Sequence, residues 1–179
     1  MRQDATLPLR QIATARAAGK SGREISRFFT EAVFHDGRRM AFLPADAYPK
    51  ASEQVLEMIA LMRAFEERGA VYGEGGYLYF DVTKAPGYGI FSGARLGEGE
   101  AAERTDEGIH RYKKRPEDFT LWMPAEPDRE FQWESRWGAG WPGWHIECAA
   151  MAIRHLGPEF DVHVGESVLR ADELPLGGA

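Results

Sequence analysis

The most distinctive stretch of the chain is Trp137-Gly138-Ala139-Gly140-Trp141-Pro142-Gly143-Trp144-His145-Ile146-Glu147-Cys148-Ala149-Ala150-Met151. It holds three of the five tryptophans and the single cysteine. Its first half is rich in glycine and proline and predicts a loop, because both residues interrupt regular structure. A helix is predicted to follow, beginning at Trp144 and ending near Leu156, where Gly157 and Pro158 stop it.

The predicted helix carries side chains of interest on two faces. At 3.6 residues per turn, one apolar face consists of Ile146, Ala149, Ala150, Ile153 and Leu156. Nearly the opposite face consists of Trp144, Cys148, Met151 and His155, with Glu147 and Arg154 between the two. Either the second face lines a site, or both faces are core, since lone cysteines are among the most buried residues. Spacing alone leaves both interpretations open.

The same stretch resembles the W-G-x-G-x-P-G-W-H-I-E-C-x-A-M signature of cysteinyl-tRNA synthetases. The resemblance extends in both directions, from about Ala15 to Gly165. Further segments that carry it are Phe42 to Glu53, Tyr79 to Gly93 and Arg115 to Trp122. Arg136 and Trp141 stand where the family usually has proline and arginine.

Composition restricts the class of protein. A chain of 179 residues, 44% of them hydrophobic, can bury one core or two small ones. The net charge of −6 argues against nucleic-acid binding over most of the protein surface, and we expect no DNA partner. A single cysteine excludes an intramolecular disulfide and fits a reducing compartment. No apolar run reaches the length of a membrane span, so we expect no membrane association and a cytoplasmic location.

Two helices are predicted near the N-terminus. The first runs from Arg10 to Ala18 and ends at Gly19, and Ser21 with Glu24 forms a capping box for the second. This region resembles the connective insertion of the synthetases, which lies near the acceptor end of tRNA. Its basic residues either face a phosphate backbone or form a solvated helix face; they are Arg10, Arg16, Lys20, Arg23 and Arg27.

The middle of the chain predicts a helix followed by a β-hairpin. The helix begins near Ser52 and ends before Gly69. The hairpin strands are 70–72 and 77–82, joined by residues 73–76. Beyond them, we predict strands around 131–135 and 159–163 on either side of the Trp144 helix.

The predicted fold class is α/β. A helical and β-hairpin insertion domain, residues 1–124, precedes residues 125–179. By resemblance, the second part is a partial Rossmann-like β-α-β unit of a class I synthetase catalytic domain. In such a unit, Trp133, Trp137, Trp141 and Trp144 would form an exposed aromatic patch, which predicts a dimer, or a complex with another protein, through the C-terminal third.

The resemblance also implies cofactors and a substrate site. Members of the family bind ATP through HIGH-type and KMSKS-type sequences, neither of which occurs in these residues. They bind zinc through two cysteines, a histidine and a glutamate; only Cys148 matches this set, so we expect no stoichiometric zinc. The residues expected by resemblance to bind substrate are Trp144, His145, His163 and Gly165.

We therefore predict a truncated, non-catalytic relative of cysteinyl-tRNA synthetase, without a bound cofactor. It would retain binding of cysteine, of its adenylate or of the acceptor end of tRNA. Alternatively, it is a structural partner of itself or of a second polypeptide, such as a full or split synthetase. A non-functional gene fragment is the third possibility.

Overall fold

A four-stranded antiparallel sheet and three helices make up the computed structural model, which describes residues 15, 17–90, 96–97, 112–127 and 129–164. The helices are α1 (Gly22–Arg39), α2 (Val55–Glu67) and α3 (Trp144–Leu156). The strands are β1 (Val71–Glu74), β2 (Tyr77–Phe80), β3 (Phe119–Pro124) and β4 (Gly140–Pro142), and they lie in the sheet in that order. Short 3-10 turns at Ala51–Glu53 and Val82–Lys84 precede α2 and follow β2.

The predicted start of α1 is confirmed. The Ser21 hydroxyl accepts a hydrogen bond from the Glu24 N–H, and the Glu24 carboxylate accepts one from the Ser21 N–H. These bonds satisfy backbone donors that a helix N-terminus otherwise leaves without partners. The preceding predicted helix, Arg10 to Ala18, lies outside the described residues except for Ala15, Ala17 and Ala18.

The predicted α2 and hairpin are also present, with shifted boundaries. A 3-10 turn takes up the first residues of the expected helix, so α2 itself begins at Val55. The hairpin turn consists of only Gly75 and Gly76, both with positive φ, while Gly73 and Glu74 belong to β1. A two-residue turn of this kind matches the natural twist of paired strands, and positive φ at both positions favours glycine.

One hydrophobic core joins α2 and α3 to the sheet. A β-bulge between Leu78 and Tyr79 shifts the register so that Leu78 pairs with Trp122 and Phe80 with Phe119. These four side chains belong to one buried cluster that also contains residues of α2 and α3. Members from the helices are Val55, Met58, Met62, Phe65, Ile146, Ala149, Ala150 and Met151. The core therefore fixes α3 against the sheet.

The mixed α/β class is confirmed, but the strands around α3 differ from the prediction. The strand before the helix is β4, and residues 131–135 contribute only an isolated bridge between Trp133 and Gly140. The described residues after α3, which end at 164, contain no strand. Strand pairing depends on distant partners, which local sequence does not reveal.

The proposed division after Pro124 remains a prediction about how the chain is subdivided. In the described residues, the segments on either side share one sheet, because β3 pairs with β4. They also share the hydrophobic core.

Candidate functional site

The glycine-rich loop brings β4 and the start of α3 directly against β3. The Gly143 N–H donates a hydrogen bond of 2.8 Å to the Leu121 carbonyl oxygen. A Cβ atom at Gly143 would overlap the Thr120 carbonyl oxygen, and one at Gly140 would overlap the Trp122 indole. Both positions therefore require glycine for close approach, which explains this part of the sequence motif.

The first turn of α3 presents two half-buried rings. Trp144 and His145 have ring centroids 4.2 Å apart, and His145 lies 4.8 Å from the ring of Phe119 on β3. The N-cap residue, Gly143, supplies no capping side chain. Backbone N–H groups at a helix N-terminus attract anionic groups, reinforced by the helix dipole. This turn combines aromatic surface with backbone donors.

Farther along α3, the predicted faces are only partly confirmed. Ile146, Ala149 and Ala150 are buried as expected, whereas Leu156 is exposed beyond the edge of the core. Met151, assigned by the sequence to the possible site face, is buried in the core. Cys148 is half-buried and packs against the core cluster, one turn after Trp144.

Glu147 is fully buried in the first turn of α3, although the helical periodicity of the sequence placed it between the two faces. A carboxylate near a helix N-terminus interacts favourably with the helix dipole. The only sequence signal for this position was its place in the W-H-I-E-C segment, because spacing alone does not predict a buried acid.

A second buried acid, Asp118, holds together three segments next to the site. Its carboxylate accepts hydrogen bonds from the Tyr72 hydroxyl at 2.6 Å, the Val82 N–H at 3.2 Å and the Arg115 N–H at 3.1 Å. The next residue is Phe119, whose ring contacts His145. Asp118 thus positions one wall of the site through the backbone, a role that the sequence analysis missed.

Burial shifts the pKa of several groups around Asp118. Desolvation and the hydrogen bond to Asp118 raise the pKa of Tyr72 far above its usual value of 10. Burial also raises the pKa of Tyr79 to about 12. Desolvation lowers the pKa of the Lys113 ammonium to about 8, against the opposing influence of Asp118 and Glu117.

The tryptophans do not form the exposed patch that the sequence predicted. All four predicted members are half-buried, and Trp133 and Trp137 pack against the core. The Trp137 indole N–H donates a hydrogen bond to Glu66, and the Arg129 guanidinium lies 3.6 Å from the Trp141 ring. The prediction was wrong because the antiparallel sheet and α2 supply neighbours that a separate β-α-β unit would lack.

The remaining predicted site residues lie beyond α3. His163 is exposed and its ring lies 6.0 Å from Phe160, while Gly165 lies outside the described residues. The structure therefore places Trp144, His145 and Cys148 close together, within the first five residues of α3. The assignment of all five to substrate or metal binding stays a prediction.

The described residues do not fit a complete zinc site. Among them, no group of three His, Cys, Asp or Glu side chains is placed to hold a metal ion. A structural zinc ion needs four convergent ligands and a catalytic one needs three. The expected lack of stoichiometric zinc nevertheless remains a prediction for measurement.

Comparison with known proteins places this arrangement in a family. Residues 9–171 match the family model described as the tRNA synthetases class I (C) catalytic domain. The chain belongs to the cysteinyl-tRNA synthetase family. A cysteine–tRNA ligase of Desulfitobacterium hafniense is 41% identical over 147 residues, which is 82% of this chain and 30% of that protein. The corresponding ligase of Magnetococcus marinus is 40% identical over 86% of this chain and 31% of its own length.

A third cysteine–tRNA ligase, from Methylocella silvestris, is 45% identical over 135 residues, covering 75% of this chain and 29% of the relative. The chain thus spans about 30% of the length of these family members. In the part of the chain that the structure describes, no helix is both long and apolar enough to cross a membrane.

Proposed function

We propose that this member of the cysteinyl-tRNA synthetase family binds cysteine or its adenylate at the first turn of α3. The observation that supports the proposal is the pairing of the Trp144 and His145 rings at the start of a helix whose N-cap residue is the glycine Gly143. The relatives are named as cysteine–tRNA ligases.

The chemistry of this turn suits such a ligand. Backbone N–H groups would interact with the carboxylate of cysteine or the phosphate of the adenylate. The Trp144 ring would pack against the ligand, and His145 would donate or accept a hydrogen bond according to its tautomer. Phe119 and the buried Asp118 would keep the imidazole in place.

Cys148 follows one turn after Trp144 on the same helix, at the position of a zinc ligand in the family signature. Its thiol would contribute one ligand to a zinc ion that recognises the substrate thiol. The described residues do not supply the other ligands that a zinc site needs.

In this proposal the chain on its own binds cysteine or its adenylate but does not activate cysteine. Its 179 residues contain no HIGH-type or KMSKS-type sequence to hold the phosphates of ATP. The purified chain should therefore show no cysteine-dependent exchange of pyrophosphate into ATP. Exchange above a blank without enzyme, removed by Trp144→Ala, would contradict this part of the proposal.

The binding proposal can be tested with two histidines of the same helix. His145→Ala should weaken the binding of a non-hydrolysable cysteinyl-adenylate analogue at least about tenfold, which corresponds to roughly 1.4 kcal/mol. His155→Ala is the control, because His155 is exposed in the last turn of α3. Equal affinities of both variants and the parent chain, measured by calorimetry, would contradict binding at this turn.

The family also suggests the acceptor end of tRNA as a partner. Adding a minimal acceptor-stem RNA to the same titration would test that extension. Arg23 and Arg27 are exposed on α1 and provide two of the basic residues expected to contact phosphates. A double Arg23→Gln and Arg27→Gln variant should lose RNA binding and retain binding of the adenylate analogue.

A further inference from the structure

Arg129, in the segment between β3 and β4, carries a half-buried positive charge that no carboxylate of the described residues pairs. The carbon atom of its guanidinium lies 3.6 Å from the centroid of the Trp141 ring on β4. Its Nε–H group donates a hydrogen bond of 3.0 Å to the Phe131 carbonyl oxygen. Its Nη2 atom is buried without a hydrogen-bond partner, whereas Nη1 is not buried in this way. The guanidinium is therefore held in place while its two terminal nitrogens stay unused.

This arrangement is unfavourable for the chain without a ligand. Desolvation lowers the pKa of Arg129 to about 10, against the opposing influence of Glu126. A charge that is removed from water destabilises a fold unless an opposite charge or hydrogen bonds compensate for the lost hydration. The Trp141 ring compensates only in part, because an aromatic face attracts a cation less strongly than an anion does. The unused donors therefore indicate that an anion binds at Arg129.

The acidic residues nearest in sequence do not provide this anion. The Glu130 carboxylate accepts hydrogen bonds from the Gly22 and Arg23 N–H groups and lies 3.8 Å from Nε of Arg23. Glu126 is exposed and acts on Arg129 only through space. We therefore expect the anion to come from a ligand.

Two further arginines next to this position favour a phosphate group over a single carboxylate. The Arg23 guanidinium lies 4.7 Å from the Phe131 ring, so Arg23 and Arg129 both contact Phe131. Arg27 follows one turn later on α1 and is exposed. Several cations in a row suit phosphates, which carry more charge or occur in series. The fork of a guanidinium also matches two phosphate oxygens.

We propose that Arg129, held by Trp141 and Phe131, binds a phosphate group of a ligand. An oxygen that meets Nη1 at the surface would place a second oxygen toward Nη2, since both nitrogens lie side by side in the guanidinium plane. An RNA strand and free inorganic phosphate both offer this group, and titrations with each distinguish them. The proposal does not rest on ligand binding at α3, so His145→Ala should leave phosphate binding at Arg129 unchanged.

The RNA titration uses a labelled single strand of about ten nucleotides and fluorescence anisotropy. Arg129→Gln should weaken binding at least about tenfold. Arg129→Lys, which keeps the charge but loses the paired donors, should weaken binding less. Arg136→Gln is the matched control, because it removes the same charge from an exposed arginine that Glu66 already pairs at 2.9 Å. This control should weaken binding at most about twofold.

The second titration uses inorganic phosphate at constant ionic strength. Phosphate should raise the midpoint of thermal unfolding more in the parent chain and in Arg136→Gln than in Arg129→Gln. The general stabilising effect of phosphate acts on all three proteins alike. Circular dichroism without ligand verifies that each variant is folded, and Arg129→Lys carries the test if Arg129→Gln is not.

A response to either ligand that depends on Arg129 supports the proposal and identifies the source of the phosphate group. If neither ligand acts on the parent chain, the proposal is overturned. Equal effects of Arg129→Gln and Arg136→Gln in both titrations would also overturn it. So would an acidic peptide, such as hexaglutamate, that binds at Arg129 more tightly than the RNA and phosphate do.

Discussion

Gly143 determines how closely the start of α3 can approach β3. Because a Cβ atom there would overlap the Thr120 carbonyl oxygen, Gly143→Ala should lower the free energy of unfolding by about 3 kcal/mol or more. Gly37→Ala is the control, since its added Cβ meets Phe42 at an ordinary 3.7 Å within a helix. That variant should be neutral or stabilised by about 0.5 kcal/mol. Similar effects of both changes in denaturant titrations would contradict the packing described at Gly143.

Lys113 gives a prediction about pH, because burial lowers its pKa from 10.5 to about 8. Between these two pH values the unfolded chain binds more protons than the folded chain, so the free energy of unfolding should rise with pH. Below about pH 8, Lys113 is charged in both states, and the full destabilisation from burying its charge is present. Lys113→Met should stabilise the protein at pH 7 by about 1–2 kcal/mol and remove this rise. Denaturant titrations from about pH 7 to about pH 9.5 avoid the opposing ionisation of Tyr79, whose pKa is raised to about 12.

The neighbouring lysine is the control for this titration. Lys114 is exposed, and its ammonium lies 4.2 Å from the Tyr72 ring. Lys114→Met should cost at most about 1 kcal/mol and leave the rise with pH intact. If Lys113→Met and Lys114→Met gave the same pH profile, the burial of Lys113 would not be the cause.

At the scale of single elements, α1 depends on Glu130 for its attachment. Glu130→Gln removes the negative charge that faces the first N–H groups of the helix, at a cost of about 1 kcal/mol. Hydrogen exchange should accelerate at residues 22–25, while the amides of α2 keep their protection. Ser21→Ala, which breaks the capping box, serves as a comparison within the same turn. Unchanged exchange in both variants would contradict the described attachment.

Elements defined by local signals could be predicted from the sequence, whereas those that depend on distant pairing could not. Ser21 and Glu24 specify the start of α1, and glycines mark the hairpin turn and the ends of α2 and α3. The pairing of β3 with β4 joins residues that are about twenty apart and carries no comparable local signature. The same limit applies to the site: the motif located Trp144 and His145, but only the fold shows Asp118 supporting them.

At the scale of the whole molecule, the sheet connects the two segments that the sequence assigned to separate domains. β3 contacts β4 on one side and the β1–β2 hairpin on the other, and α2 packs with α3 in one core. The first turn of α3, which belongs to the second segment, is thus supported by residues of the first, namely Phe119 and, through Asp118, Tyr72. Any ligand bound there would couple to the stability of the whole described core.

The central claim, that the first turn of α3 binds cysteine or its adenylate, is tested most directly by nuclear magnetic resonance of the histidine rings. Titrating the complete chain with a non-hydrolysable cysteinyl-adenylate analogue should shift the signals of His145 saturably. The signals of His155, exposed at the other end of the same helix, should stay unchanged. Absence of any shift at His145, or equal shifts at both rings, would contradict the account.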